Sequence, residues 1–507
     1  MMQGRMHAAR LTLVVAALLG ICGELLLRVE PWGINALLAA LALGAGLHVL
    51  RRRLDVPLTG TMIWLHVAVP VLAAVLAWRA SPPLVLMVVA GVLLALVSAA
   101  LAAHGRALSG AVTWDVVAEG VATGIYTALG VVPLMRESDW SDAGPAQWHT
   151  TLRAVARGAL LAIPPLIVFG GLFIGADAAF EAVVSDALAV VGEEVLSHIL
   201  FGAFLTWIAA GYLHWIVLND GGRVPRGDVV PLRLGGLEVT VALGMVATLF
   251  VAFIAVQFRY LFGGGGLVLE TTGLTYAEYA RSGFFQLIMV AFLVLPLLML
   301  GLWLVRDEVP ARRRTVRIVA AALVVLVFLI MGSALYRMQL YQDAYGLTLL
   351  RFYATAFMAW LALIFLLFAA SMLRDSSRHF AAGVIVSAVL SGPVLAAVNP
   401  EARIVATNVE RARAGDDFDA RYVYADLSAD AVPGLIAALP DLAAEDRCAI
   451  AHWLVERWGA ERTARQRTDW RTWNQARVLA RRSVREHEPM LRILACAPTE
   501  TAALERY

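Results

Sequence analysis

The sequence predicts an all-α membrane protein, a polytopic transmembrane helical bundle of about 10–11 spans with a small helical C-terminal extramembrane domain. Three observations lead to this fold class. The 507-residue chain is 60% hydrophobic and has a mean hydropathy of +0.74. Only 16% of its residues are charged, against about a quarter in soluble domains. Long apolar runs fill most of the chain before residue 399, and lipid is the solvent that suits such runs.

The spans follow from length, because a helix needs roughly 20 apolar residues to cross the hydrocarbon core. The first run could be mistaken for a signal peptide, but no small-residue cleavage site clearly follows it, and a second run begins almost at once. We therefore expect a retained helix. The predicted spans are 11–27, 33–50, 59–78, 83–103, 154–174, 196–218, 239–260, 283–305, 316–336, 352–373 and 380–398.

The orientation follows from the arginines, since the chain contains no lysine. Basic residues favour the cytoplasmic side of a bilayer. With the N-terminus inside, the arginine-rich segments 5–10, 51–53 and 306–317 all fall on the cytoplasmic side. Eleven crossings then place the C-terminal domain outside.

Segment 111–135 decides whether this count is right. It carries Asp115 and Glu119 early and then a mostly apolar stretch, which favours an amphipathic or re-entrant helix on the cytoplasmic side. If it crossed instead, the arginines of 306–317 would lie outside, against the usual bias. The predicted domains are 1–106 (four spans), 107–153 (the amphipathic or re-entrant segment), 154–398 (a seven-span membrane core) and 399–507 (a soluble helical domain).

The tail after Asn399 has apolar residues at helical spacing and near-balanced charge. Stretch 431–458 predicts two short helices broken at Pro440, and stretch 466–494 predicts another helix. Core candidates on the latter are Trp470, Trp473, Ala476, Val478 and Leu479. A further acidic amphipathic stretch, 176–194, is expected to lie flat on the outer surface.

Polar and aromatic residues concentrate at the predicted outer ends of the later spans. Arginine near a bilayer needs a partner or a route to water, so a polar crevice under the outer domain could hold a ligand. Interface anchoring and docking of the tail is the competing interpretation. The candidate binding residues are Asp177, Tyr260, Glu278, Tyr279, Arg281, Arg337, Tyr341, Asp343, Arg351, Asn399, Asn408 and Arg411.

Other site types have little support in the sequence. No phosphate-binding loop, zinc-protease helix or serine-nucleophile elbow occurs. Glu194 and His198 share a helix face and His214 follows on the same span, but packed histidines are commoner than a metal site or a proton relay. Cys448 and Cys496 could form a disulfide or remain free thiols. We expect no catalytic residue, metal, cofactor or nucleic-acid partner.

A family resemblance is carried by the runs TYAEYARSGFFQL, RMQLYQDAYGLTLLRFY and VNPEARIVATNVERA, and by DWRTWNQAR in the tail. The chain resembles the bacterial membrane proteins of domain-of-unknown-function family 4173, related to family 4153. The resemblance implies a multi-pass protein of the bacterial inner (cytoplasmic) membrane. In a bacterium, the outside location that the arginines predict for the C-terminal domain is periplasmic or extracellular. It supplies no reaction.

Three functions remain open. The first is a binding, sensing or scaffold protein of the cell envelope, with the lipid bilayer and a periplasmic or envelope protein as partners. This is favoured because few charged residues lie deep in the spans, whereas transporters usually need them. The second is a transporter or permease for a small or lipidic solute. The third is a membrane enzyme at the outer surface, which is the less expected outcome.

Overall fold

The protein is described by a computed structural model. The described residues are 2–56, 60–104, 113–138, 193–218, 235–262, 284–305, 309–373, 379–461 and 469–495, together with isolated positions between 158 and 177. The predicted span 154–174 and the acidic stretch 176–194 lie almost wholly outside them, as does Cys496.

Helices long and apolar enough to cross a membrane dominate the described residues, in which nine pass this test singly and one bent pair passes it together. The fold class is therefore confirmed, and the chain is a multi-pass membrane protein. The spans are apolar, although only a minority of the residues in each span is buried inside the protein. The helix segment Gly236–Gln257 has a mean hydropathy of 2.6 with only 17% buried, as expected of a helix that faces lipid.

The first eight helices correspond closely to the predicted pattern. Each predicted span that falls on described residues coincides with a helix, although the first and ninth predicted spans are shorter than their helices, and segment 111–135 forms two helices rather than one. The helices are α1 (Met2–Leu27), α2 (Ile34–Arg53), α3 (Gly60–Trp78), α4 (Pro82–Ala103), α5 (Thr113–Leu129), α6 (Val131–Glu137), α7 (Glu193–Leu213, continued by a π-helical turn His214–Leu218) and α8 (Gly236–Phe262).

The remaining helices are α9 (Phe284–Leu304), α10 (Pro310–Tyr345), α11 (Leu349–Leu373), α12 (Phe380–Val398), α13 (Pro400–Arg413), α14 (Ala420–Asp426), α15 (Val432–Ala438), α16 (Ala444–Trp458) and α17 (Gln475–Leu494), with 3-10 turns at Leu439–Asp441 and Trp470–Thr472. The predicted break at Pro440 is confirmed.

The chain divides into two compact units. The first comprises Met1–Pro225, Ala388–Ala396 and Gln466–Leu479, and the second comprises Arg226–Ser387, Ala397–Arg465 and Ala480–Tyr507. In the first unit, α1 packs against α2 and α7, and α3 packs against both α2 and α4. Helices α1 and α7 run antiparallel, because Arg28 donates to the Ser197 hydroxyl at 2.7 Å near one end and the Gly20 backbone lies against Thr206 further along.

Helices α5 and α6 form a bent helix pair, which we call the hairpin, and it packs in the first unit against α1, α4 and α7. Their axes differ by 55° across the break at Gly130. A Cβ on Gly130 would lie 2.8 Å from the Gly211 carbonyl oxygen, and a Cβ on Gly211 would lie 2.0 Å from that of Thr127. The Trp207 indole donates to the Ala128 carbonyl at 2.9 Å. Two glycines thus allow the backbones to touch, and Trp207 satisfies a carbonyl that the bend releases.

Replacing Gly211 should separate the hairpin from α7. The Gly211→Ala protein is expected to lose about 1–3 kcal/mol of stability, because the methyl group would overlap the Thr127 carbonyl. Gly124→Ala on α5 is the matched control, since a Cβ there meets nothing within 4 Å. Thermal unfolding of both proteins in detergent measures the difference. Equal midpoints for the two variants would contradict the close contact.

In the second unit, α8, α9, α10 and α11 enclose an apolar core that includes Leu298, Leu323 and Phe365. Helix α10 has 36 residues and is about 54 Å long at 1.5 Å per residue, well beyond the roughly 30 Å of hydrocarbon. The helix therefore extends past the apolar layer. Arg312 lies in its first turn, and Arg337, Tyr341 and Asp343 lie near its last turn.

The tail helix α17 buries a different face from the one predicted. Its buried residues are Ala476, Ala480, Val484 and Leu491, so the prediction for Ala476 is confirmed. Trp470 is 66% exposed and Trp473 is 47% exposed, and Val478 and Leu479 are exposed too. The prediction that these four form a core was wrong, because the buried face of α17 runs through Ala480, Val484 and Leu491 instead.

Candidate functional site

The clearest polar arrangement in the second unit surrounds Gly346, between α10 and α11. Gly346 has φ 74° and ψ 179°, a conformation that is essentially restricted to glycine. A Cβ there would lie 2.6 Å from Arg411 Nη1 and 2.7 Å from Asn408 Oδ1. The turn can therefore approach α13 closely only because this position has no side chain.

Asn408 and Arg411 of α13 bind the backbone of this turn. Asn408 Oδ1 accepts from the Leu347 amide at 2.7 Å, and its Nδ2 donates to the Leu347 carbonyl at 2.9 Å. Arg411 Nη2 donates to the Ala344 carbonyl at 3.1 Å and pairs with Asp416 at 3.2 Å. Two side chains of the tail thereby satisfy peptide groups that the end of α10 leaves free.

Arg351 secures the same turn from α11. Its Nη1 donates to the Tyr345 carbonyl at 2.9 Å and also to the Gly346 carbonyl. Its guanidinium lies 4.0 Å from the centroid of the Tyr341 ring, a cation–π contact. We call Tyr341, Gly346, Arg351, Asn408 and Arg411 the Gly346 clamp. Four of the twelve predicted site residues meet in it.

Two further contacts fix the tail beside the Gly346 clamp. The Tyr422 hydroxyl accepts from the Leu349 amide at 2.6 Å, and burial raises its pKa to about 12. Glu401 is fully buried and accepts from the Ser428 amide at 2.7 Å and the Ser428 hydroxyl at 2.8 Å. Asn399 has φ 53° and caps α13 by accepting from the Ala402 amide at 3.3 Å. The predicted residue Asn399 thus has a local role in starting the helix.

The other predicted site residues are not members of the Gly346 clamp. Arg337 is buried on α10, and Asp343 is exposed. Asp177 is an exposed residue at an isolated position, and Tyr260 lies in α8 with its side chain undescribed. Glu278, Tyr279 and Arg281 lie outside the described residues. The partners of Arg351 are backbone carbonyls and a tyrosine ring.

A second clamp, formed by Asp469, Arg471, Asn474 and Arg477, holds the tail in the first unit. Asn474 is 1% exposed, and its Nδ2 donates to the carbonyls of Leu76 at 2.7 Å and Arg79 at 2.8 Å. We call this group the Asn474 clamp. Its members were not predicted as site residues, although the motif DWRTWNQAR contains all of them.

The arginines of the Asn474 clamp bind the ends of α1 and α2. Arg471 donates to the Leu25 carbonyl at 2.5 Å. Arg471 also donates to the carboxylate of Asp469, and this hydrogen bond lowers the pKa of Asp469. Arg477 Nη2 donates to the Trp32 carbonyl at 2.7 Å. Both clamps thus use side chains of the tail to cap free carbonyls at the ends of spans.

A third polar group lies inside the first unit at the α5–α6 hairpin. His104 Nδ1 and Glu119 Oε1 are 2.8 Å apart, and their side chains are 8% and 2% exposed. Glu137 Oε1 lies 3.2 Å from Arg5 Nη2, and Glu137 Oε2 lies 3.6 Å from His214 Nε2. The sequence pattern had placed His198 beside Glu194, whereas His198 pairs with Glu24 of α1.

Aromatic rings pack beside His104 in this group. The His104 ring centroid lies 4.2 Å from that of Trp215, and Tyr126 stacks on Trp215 at 3.8 Å. His214 and Trp215 begin the π-helical turn at the end of α7, a form that often marks functional sites. We call His104, Glu119, Tyr126, Glu137, His214 and Trp215 the hairpin cluster.

Two of the three cysteines fall on described residues. Cys448 is disulfide-bonded, and Cys22 is a free thiol; Cys496, the partner that the sequence suggests for Cys448, lies outside the described residues. Within the part of the chain that the structure describes, no three His, Cys, Asp or Glu side chains converge as a metal ion would require.

Comparison with known proteins identifies the family of this chain. A family model described as "Domain of unknown function (DUF4153)" matches residues 66–438. The chain belongs to the DUF4153 family. The matched region contains every residue of the hairpin cluster and of the Gly346 clamp. It begins after Arg5, which contacts the hairpin cluster, and it ends before the Asn474 clamp. No curated protein and no solved structure matches the chain.

The family match also bears on the resemblance found in the sequence. Membership in DUF4153 is shown over residues 66–438. The finer resemblance of this DUF4153 protein to family 4173 remains a prediction. The family description states no activity.

Proposed function

We propose that this DUF4153 protein is a scaffold or binding protein of the bacterial envelope, which holds a helical tail rigidly against the ends of its spans and presents it to a partner. One observation supports this most. In the Gly346 clamp, Asn408, Arg411 and Arg351 direct their hydrogen bonds to backbone groups of the turn between α10 and α11. Side chains engaged in this way anchor the tail and leave few donors for a ligand.

The architecture of the tail supports the same role. Backbone-directed side chains recur in the Asn474 clamp, where Asn474 and Arg477 bind carbonyls of Leu76 and Trp32. Each such hydrogen bond reduces the conformational freedom of the part of the tail that makes it. Each part of the tail is therefore preorganised where its own clamp holds it, and a preorganised surface binds its partner at a lower entropic cost. The expected partner is a periplasmic or envelope protein.

We further propose that α1 begins in the cytoplasm, that the α5–α6 hairpin re-enters the membrane without crossing, and that the tail is exported. Helix α10 carries Arg312, Arg313 and Arg314 in its first turns, and such clusters favour the cytoplasmic side. The Gly346 clamp lies at the opposite end of α10. The disulfide at Cys448 also fits an oxidising compartment outside the inner membrane.

Thiol labelling tests this arrangement. In a Cys22→Ser background, Asp417→Cys places a thiol at an exposed tail position, and Arg314→Cys places one at the other end of α10. A membrane-impermeant maleimide added to intact spheroplasts is expected to label Asp417→Cys and to label Arg314→Cys only after lysis. The reverse pattern would place the tail in the cytoplasm and remove the proposed role in the envelope.

The role of the tail surface is tested separately. Arg421 and Arg457 are exposed on the tail, away from both clamps. We expect the double variant Arg421→Glu, Arg457→Glu to reach normal abundance but to fail to restore whatever growth or envelope defect deletion of the gene causes. Full restoration by this variant would instead favour a function of the membrane spans alone, such as transport.

A further inference from the structure

The hairpin cluster contains more buried polar atoms than its own hydrogen bonds satisfy. His104 Nε2, Trp215 Nε1 and both ring nitrogens of His214 are buried and have no hydrogen-bond partner among the described residues. The side chains of His104 and His214 are each 8% exposed, and Trp215 is 1% exposed. Unsatisfied groups of this kind are costly, and several in one place indicate a functional site or a bound water.

The position of the cluster gives it access to one face of the membrane. Glu137 and its partner Arg5 are 24% and 50% exposed, whereas Glu119 is 2% exposed. Arg5 and Glu137 are therefore the exposed members of the group, and His214, His104 and Glu119 are the buried ones. All of these contacts lie at the end of the first unit where α1 begins and where α4 and α7 finish.

Every element around the His104–Glu119 pair contributes a titratable or charged side chain. These are Arg5 from α1, His104 itself at the end of α4, Tyr126 from α5, Glu137 from α6, and Tyr212 and His214 from α7. The Tyr212 hydroxyl donates to the Leu96 carbonyl at 2.9 Å, and Arg5 compensates Glu137. The carboxylate of Glu119 has only the ring of His104 as its hydrogen-bonded partner in the part of the chain that is described.

We propose that the hairpin cluster is a proton-binding site, in which the His104–Glu119 pair takes up one proton from water and the Glu137–His214 pair admits it. With a neutral imidazole the His104–Glu119 pair carries one negative charge, and uptake of the proton from hydronium neutralises it and releases water. Ionisable groups inside membrane proteins commonly serve proton relays, and histidine is suited to that role near neutral pH. This inference does not depend on the scaffold role of the tail.

Infrared difference spectroscopy of the full-length protein in lipid nanodiscs tests the proposal. Spectra are compared between about pH 5 and pH 8, the range in which histidine usually titrates. We expect wild-type protein to show a carboxyl or imidazolium change that is lost in both Glu119→Gln and His104→Gln. Glu119→Gln keeps an oxygen able to accept from His104, so it preserves the fold best. An unchanged difference spectrum in Glu119→Gln and His104→Gln would overturn the proposal.

The chain supplies a matched control for this experiment. Glu24 and His198 form a second carboxylate–histidine pair between α1 and α7, but the side chain of His198 is 51% exposed. Glu24→Gln and His198→Gln should retain the signal assigned to the His104–Glu119 pair. If that signal disappears in these control variants and persists in Glu119→Gln, the proton belongs to the exposed pair and the proposal is wrong.

A kinetic measurement tests the entry group. After a rapid drop in pH, Glu137→Gln should take up the same amount of protons as wild-type protein but more slowly, because the carboxylate that receives them first is missing. The thermal midpoint of each variant confirms that it is folded. An unchanged rate in folded Glu137→Gln would remove the Glu137–His214 pair from the proposed route.

Discussion

The Gly346→Ala protein is expected to lose the docking of α13 and to be the least stable of the clamp variants. An alanine at φ 74° and ψ 179° costs about 1–3 kcal/mol in backbone strain. The same methyl group would lie within 2.7 Å of Asn408 and Arg411, so either the turn or α13 must move. Thermal unfolding and limited trypsin digestion measure the effect, and we expect early cleavage at the arginines of 403–413.

Gly332→Ala is the matched control because it lies in the same helix, α10. A Cβ at Gly332 meets nothing within 4 Å, and alanine is favoured over glycine inside a helix by about 1 kcal/mol. Gly332→Ala should therefore be as stable as wild type or slightly more so, with the tail still resistant to trypsin. A Gly346→Ala protein with the same midpoint and digestion pattern as Gly332→Ala would show that the clamp does not hold α13.

The Asn474→Asp protein is expected to release the tail from the first unit. The exchange keeps the shape and the oxygen that accepts from the Arg477 amide, but it removes the two donors that bind the Leu76 and Arg79 carbonyls. Leaving buried carbonyls without partners costs about 2 kcal/mol or more. The thermal midpoint should fall, and trypsin should cleave at Arg471 or Arg477 in the folded protein.

Gln475→Glu makes the same amide-to-acid exchange one residue later. Gln475 is exposed and opens α17, where a negative charge suits the helix dipole. We expect no loss of stability from this variant, so any difference between the two reports on the buried amide of Asn474. Equal loss in both proteins would indicate a general effect of added acid near the membrane rather than loss of the clamp.

Much of the membrane fold could be predicted from the sequence, because span length and hydropathy are local properties. The predicted spans 196–218 and 380–398 coincide with α7 and α12, and the break at Pro440 follows from local chemistry. The bend at Gly130 could not be placed in the same way. It depends on contact with Gly211 of α7, which lies about 80 residues further along the chain.

The candidate site was predicted only in part, for a similar reason. Tyr341, Arg351, Asn408 and Arg411 were selected because they lie near span ends, and the structure brings them together at Gly346. Which partners they use could not be inferred, since a backbone carbonyl leaves no mark in a sequence. The Asn474 clamp was missed because Asn474 resembles an ordinary polar residue before a helix.

The hairpin cluster shows a different limit of sequence reasoning. His214 was considered as a lone histidine on its span, and Glu119 as a surface acid of an amphipathic segment. Their partners, Glu137 and His104, come from other helices. Buried ionisable residues on separate helices signal a site only once the helices are packed, although Glu119 in an otherwise apolar run was a hint.

Hydrogen–deuterium exchange of the wild-type, full-length protein in nanodiscs tests the central claim most directly, namely that the tail is fixed to the spans at Gly346. The amides of α13 and of residues 346–349 should exchange slowly and through the same opening reaction, as expected of one cooperative unit. Fast exchange throughout α13, with α10 and α11 still protected, would mean that the tail is not docked and would contradict the proposed scaffold.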